Sequence, residues 1–142
     1  DGPDQTLTTR PAAASALVAC AQNVGAALRD QSVPKGDVLA VSRIAGIAGA
    51  KHTATLLPLA HVIGVHGAAV DLEIVDGGVD ILATVRTADR TGVEMEALTA
   101  ASIAALSVVD MVKGMDKGTE ITHVRIEKKT GGKSGDWHRE TC

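Results

Sequence analysis

Apolar positions along this chain change their spacing twice, and those changes mark its elements. After Thr9-Arg10-Pro11, a cap and first turn, Leu17, Ala21, Val24 and Leu28 recur at helical spacing and predict a first amphipathic helix. Pro34-Lys35-Gly36 interrupts it, Asp37 is a good N-cap, and Val38, Val41, Ile44, Ala45 and Ala48 trace a second helix. Its Ala45, Gly46, Ala48, Gly49 and Ala50 would let another backbone come close. From about Val65 the period is two: Val70, Leu72 and Ile74, then Val79, Ile81, Ala83 and Val85, alternate with polar residues around an Asp76-Gly77-Gly78 turn, a β-hairpin with one wet face. Helical spacing returns over about 92–112 through Met95, Leu98, Ser102, Leu106 and Val109, and a last strand over 121–128 sets Thr122, Val124 and Ile126 on one face.

A short strand fits within the first eight residues. The order helix, helix, hairpin, helix, strand then packs most economically as an α+β sandwich, an antiparallel sheet with helices on one face in the split βαβ manner. Residues 1–142 read as one domain, ending in a glycine-rich basic tail from about 129.

Composition alters this picture in one respect. Apolar residues make up 45% of the chain, yet there is no Phe or Tyr and one Trp, so the core is built from Val, Ile, Leu and Ala. Each such side chain contributes only about 1.5–3 kcal/mol when fully covered. Further burial between subunits would help, which favours a homo-oligomer. Two cysteines, Cys20 and Cys142, make no disulfide framework and suit a reducing cytoplasm. No stretch approaches the roughly 18 uninterrupted apolar residues of a membrane span, and the first five residues lack the features of a signal peptide. A formal charge of −3 argues against general nucleic-acid binding, although lysines gather at Lys128, Lys129 and Lys133.

Candidate chemistry begins with Glu94 and Glu96 at the start of the third helix. Acidic residues there stabilise the helix dipole, which accounts for them as well as a site does. Asp110 and Lys113 are spaced i, i+3 and share a face, where an ordinary surface ion pair is worth at most about 1 kcal/mol. Glu96 and Asp110, fourteen residues apart, have nearly the same azimuth but stand about 21 Å apart along the axis. The two ends of this helix therefore serve a long ligand or different subsites, the latter completed by a neighbouring subunit. Lys35, in a loop just before a helix start, suits an anionic ligand, though a solvated loop lysine is commoner. The 127–135 stretch superficially resembles a phosphate loop, but Glu127 occupies the position of the first Walker A glycine and no helix follows. A basic glycine-rich tail able to fold over a polyphosphate remains. The five histidines show no strong metal-ligand spacing, which disfavours zinc; His61, in a loop, is the better candidate for hydrogen bonding or proton transfer.

Together these segments resemble the molybdenum cofactor biosynthesis protein C family, the cyclic pyranopterin monophosphate synthases. The likeness rests on Thr91-Gly92-Val93-Glu94-Met95-Glu96-Ala97-Leu98-Thr99-Ala100, with Lys35-Gly36-Asp37-Val38, Arg43-Ile44-Ala45-Gly46-Ile47, Asp110-Met111-Val112-Lys113 and Gly131-Gly132-Lys133-Ser134-Gly135-Asp136 in the family's order. It implies a ferredoxin-like α+β subunit in a homohexamer, a trimer of dimers with the active site at a dimer interface. It implies a lyase that converts 3′,8-cyclo-7,8-dihydro-GTP to cyclic pyranopterin monophosphate with release of pyrophosphate.

By motif, the family's essential lysines correspond to Lys35 and Lys113, its site histidine to His61, its acidic residues to Glu94, Glu96 and Asp110, and its tail lysine, reaching in from a neighbouring subunit, to Lys129. Met95 lies within the substrate-binding run, and Arg10 and Asp1 match ligand-contacting positions. In this mapping Lys35, Lys113 and Asp110 are catalytic, Asp110 orienting Lys113 for proton transfer, while Lys129 and Arg10 hold the triphosphate. No cofactor is assigned, with Mg2+ admissible on the substrate's phosphates.

Two features depart from the family. Leu59-Ala60-His61-Val62 stands where Leu-Cys-His-Pro is usual, and most of the family's N-terminal extension, with its first strand, has no counterpart in this sequence. Both keep a rival reading in play: a diverged paralogue that binds a nucleotide or partner protein without catalysis.

Overall fold

The alanine-rich run expected to open the first helix is instead the strand at the heart of the sheet. In the computed structural model, which describes residues 10–88, 92–131 and 135–140, β1 spans Arg10–Ala19 and α1 follows it at Gln22–Asp30. Ala12, Ala14, Ala16 and Val18 are all at most 1% exposed, and β1 is paired on both sides, with β3 and with β4. Alanine's helix propensity, worth well under 1 kcal/mol per residue, loses to backbone pairing along both edges of the strand and burial beneath the helices. The strand looked for in the first eight residues lies outside the described residues.

The second helix, the hairpin, the third helix and the last strand follow their spacing closely, and a helical turn at 53–56 and a short strand at 137–138 are added to them. They are α2 (Val38–Lys51), a single turn α3 (Thr53–Leu56), the hairpin β2 (Gly67–Val75) and β3 (Gly78–Thr87), α4 (Glu94–Val112), β4 (Glu120–Lys129) and a two-residue β5 (Trp137–His138). Asp37 caps α2 as its sequence suggests, its carboxylate accepting from Ala40 N at 3.1 Å. The sheet order is β2-β3-β1-β4-β5 with every pair antiparallel, and α4 and α2 pack over one face. This is an α+β fold of ferredoxin-like topology.

Small residues set the spacing of the layers. Ala97, Ala100, Ala101, Ala104 and Ala105 of α4 are completely buried, packed over the alanines of β1. Gly46 and Gly49 of α2 let that helix lie against α4: a Cβ at Gly46 would stand 2.9 Å from the main-chain oxygen of Ala100. The consequence is that the face of α4 traced by its helical spacing is only partly covered. Of the residues that define its helical period in sequence, Met95 is 45% and Leu106 57% exposed, while Leu98 and Val109 are half-buried against the core and Ser102 is half-buried. By length and composition α4 is apolar enough to cross a membrane, but half of it is buried in this core.

β4 departs from simple alternation in a way that matters for the site. Its register against β1 slips at Thr122 and again at Glu127, so that Ile121 rather than Thr122 joins Val124 against the core. The slip at Glu127 leaves Lys129 opposite Ala12, which turns the lysine to the helical side of the sheet. Glu127 itself is fastened by Ser15 Oγ at 2.5 Å and Arg125 Nε at 2.8 Å.

Candidate active site

Three polar side chains meet at the C-terminal end of α4. Lys113 forms an ion pair with the Asp110 carboxylate one turn earlier, and Lys35, delivered by the turn before α2, donates from Nζ to the Asp110 main-chain oxygen at 3.2 Å. Gly36 makes that turn possible, since its φ of +117° is open only to glycine without strain. The hydrogen bond and charge of Lys113, with the charge of Lys35, hold the Asp110 carboxyl below the usual carboxylate range. Ile103, Leu106, Ser107 and Val109 extend the cluster into an open cavity of about 450 Å3 along the outward face of α4. Buried behind it, Ser42 Oγ donates to Ser107 Oγ at 2.9 Å and joins α2 to α4.

A second group forms at the other end of the same helix. Lys129, only 10% exposed, lies 3.7 Å from the Glu94 carboxylate and donates to Gly131 O at 3.0 Å. Glu96 is 3% exposed, and burial pushes its carboxyl pKa up; its own backbone N–H works against that shift and the Glu94 charge adds to it. Among the described residues, Glu94, Ile126, Lys129, Asp136 and Trp137 line a cavity of about 340 Å3. Glu94 and Glu96 thus do more than cap a helix, because one is in the core and the other faces a cavity.

The structure therefore brings Lys35, Asp110 and Lys113 together, and separately Glu94 and Lys129, with the length of α4 between the two groups. His61 joins neither. It is exposed on the 57–66 loop and makes no hydrogen bond or ion pair among the described residues. Met95 points outward. The side chain of Arg10 lies outside the described residues, as do Asp1, Thr91, Lys133 and Ser134. Sequence reasoning missed Asp136 and Trp137 because the 129–142 segment reads as a structureless tail. Instead β5 pairs with β4, and Asp136 Oδ1 accepts from Gly131 N at 2.7 Å. The available signal was the chain's single Trp just past a glycine-rich turn.

Among the described residues no group of three His, Cys, Asp or Glu could hold a metal ion. The exposed apolar side chains are concentrated on the outward helical side and the adjoining loop: Val41 and Ile44 of α2, Leu106 of α4, and Leu59 and Val62 at 94% and 91% exposure.

A protein from Streptomyces coelicolor named cyclic pyranopterin monophosphate synthase is 62% identical over 94% of this chain and 78% of its own length. Relatives of the same name from a Nocardioides species and from Geobacter sulfurreducens are 57% and 50% identical over 94% of the chain, covering 83% and 84% of their own lengths. The model of the MoaC family matches residues 3–132, and the chain belongs to that family.

Proposed function

We propose that this chain is a cyclic pyranopterin monophosphate synthase, a lyase of molybdenum cofactor biosynthesis that turns 3′,8-cyclo-7,8-dihydro-GTP into cyclic pyranopterin monophosphate and pyrophosphate. The observation that carries the reading is the meeting of Lys35 and Lys113 on Asp110 beside an open cavity. Rebuilding a purine into a pterin and closing a cyclic phosphate require several proton transfers, and positioned amines and carboxylates can perform them. The hydrogen bond from Lys113 lowers the Asp110 pKa and holds the Lys113 amine in place. The lysines also place positive charge where pyrophosphate departs.

Substrate contact extends to Glu94, Glu96, Met95, Lys129, His61 and Arg10. In one protomer these cannot all reach one molecule, because Glu94 and Asp110 are separated by the length of α4, about 24 Å at 1.5 Å per residue. A cleft shared between protomers resolves this, with the Lys35–Asp110–Lys113 end of one helix facing the Glu94–Lys129 end of another. The outward apolar residues of α2 and α4 supply a surface for that contact, and the exposed 57–66 loop carries His61 to it. The assembly proposed is a homohexamer, a trimer of dimers, in which residues 1–142 of each subunit form one domain. The reading adds no resident cofactor, any Mg2+ arriving with the phosphates, and places the protein in the cytoplasm with Cys20 as a free thiol.

The test is to supply freshly made cyclised GTP and look for the pterin product and pyrophosphate. Binding without turnover would favour a non-catalytic paralogue, the reading to which Ala60 and Val62 beside His61 lend their weight.

A further inference from the structure

The chain contains one tryptophan and no other large aromatic residue, and that tryptophan stands in the wall of the cavity at the start of α4. Its placement is determined rather than incidental. β5 pairs Trp137 with Lys129, and the hydrogen bond from Gly131 N to Asp136 Oδ1 closes the turn that returns the chain to β4. The Arg139 guanidinium lies 5.4 Å from the ring centroid, itself anchored by a 2.8 Å bond from Nε to Ile126 O, and this fixes the ring's orientation. Trp137 is nonetheless 44% exposed, so a large part of the indole surface has no cover among the described residues.

The polar groups beside it have a definite pattern. Among the described residues the cavity offers the carboxylates of Glu94 and Asp136 against the ammonium of Lys129. A phosphate would meet two like charges there. A 2-amino-4-oxo-pyrimidine edge, the recognition edge of guanine, presents N–H donors that suit a carboxylate and a carbonyl that suits a lysine. That edge is unchanged when the guanine ring system becomes a pterin, so one set of contacts could hold the heterocycle throughout the reaction.

We infer that Trp137 is the stacking residue for the substrate's heterocycle and determines specificity for it, with Glu94 and Lys129 reading the 2-amino-4-oxo edge. The inference rests on the synthase reading above and assigns Lys129 to the base, leaving the phosphates to the other cations.

Because Trp137 is the only tryptophan, its emission reports on this contact without any mutation. GTP added to the full-length protein should quench it saturably, and ATP, whose base has the opposite edge pattern, should require a several-fold higher concentration. Trp137→Leu should raise KM for the cyclised nucleotide about tenfold, the scale of one lost base–aromatic stack, and Trp137→Phe should recover most of that loss. Unchanged far-UV circular dichroism would show that the variants fold. A protein that turns over the cyclised nucleotide while its emission ignores GTP and Trp137→Leu keeps the wild-type KM would overturn this inference and leave the synthase reading standing. Quenching by GTP in a protein that forms no pterin would overturn the synthase reading instead.

Discussion

Lys35 Nζ lies 3.2 Å from the main-chain oxygen of Asp110, a contact across 75 residues that binds the loop before α2 to the last turn of α4. Because that acceptor is backbone, it survives any change at the Asp110 side chain, whereas the partner of Lys113 does not. The two lysines can therefore be separated experimentally. Lys35→Ala and Lys113→Ala should each lower turnover of cyclised GTP by roughly 10²–10⁴-fold, the range for loss of a general acid or base. Asp110→Ala should act mainly through Lys113, whose hydrogen bond and charge are the larger influences on that carboxylate, so adding Lys113→Ala to it should cost far less than Lys113→Ala costs in the wild type, whereas adding Lys35→Ala should keep most of its effect. Steady-state kinetics on the single and double variants decides this. Circular dichroism and light scattering should show fold and assembly unchanged, and a collapse of either would make these lysines structural.

Part of the acid sensitivity should trace to Asp116. Its carboxylate accepts from Gly118 N at 2.8 Å and from Ala21 N at 3.0 Å, tying the turn after α4 to the start of α1. The bond from Gly118, then that from Ala21, holds its pKa below the ordinary value. A carboxyl lowered on folding stabilises the fold fully above its unfolded pKa, near 3.8, and that stabilisation is lost as pH falls through the folded value. The melting temperature of the wild type should thus fall as pH drops below about 4. Asp116→Asn should melt lower at neutral pH and lose less on acidification. Parallel slopes for the two proteins between pH 5 and 2.5 would assign the acid sensitivity to other groups.

Gly46 should tolerate no side chain. A methyl group there would meet Ala100 O at 2.9 Å, Ala104 Cβ at 3.1 Å and Val70 Cγ2 at 3.1 Å, and the first of these is helix backbone that cannot swing aside. Gly46→Ala should destabilise by about 1–3 kcal/mol, as overpacking does, even though alanine is the better helix former. Gly49→Ala meets mainly the Ile103 side chain, at 3.0 Å, which can adjust, and should cost less. Urea unfolding of both variants measures the order, and equal stability would mean that the helices move apart freely.

The residues that sequence reading placed well are those whose signal is local. Asp37 as a cap, the Asp76-Gly77 turn, and Asp110 with Lys113 at i, i+3 need only their neighbours to be recognised. What it misplaced depends on contacts distant in sequence. The alanines of β1 are a strand because β3 and β4 flank them, and nothing in Ala12-Ala13-Ala14-Ser15-Ala16 announces those partners. The outward turn of Leu106 and Met95 follows from the close approach of the buried alanines of α4 to the sheet, which puts small side chains innermost along most of the helix and Val108, Met111 and Val112 inside only at its end. The slip at Glu127, a single unpaired residue, decides that Lys129 faces Glu94. Trp137 was passed over because a glycine-rich end looks unstructured until its pairing with β4 is seen.

The shared cleft makes the sharpest prediction, since it requires two chains to be wrong in different places. Lys113→Ala disables the C-terminal end of α4 and Glu94→Ala the N-terminal end, and the length of α4 keeps the two out of reach of each other within a protomer. If each cleft joins one end from each of two protomers, mixed assemblies contain some clefts with both ends intact. Random exchange at equal amounts would restore about a quarter of wild-type turnover, from two inactive parents, when each half-site is drawn independently. Leu106→Asp, placed in the exposed apolar surface of α4, should by contrast dissociate the assembly and abolish turnover in every mixture. Dissociating, mixing and reassociating the Lys113→Ala and Glu94→Ala proteins, then assaying pterin formation, measures the restoration directly. Mixtures that exchange subunits by mass spectrometry yet stay inactive would confine the whole site to one chain, and the two-ended cleft would have to be abandoned.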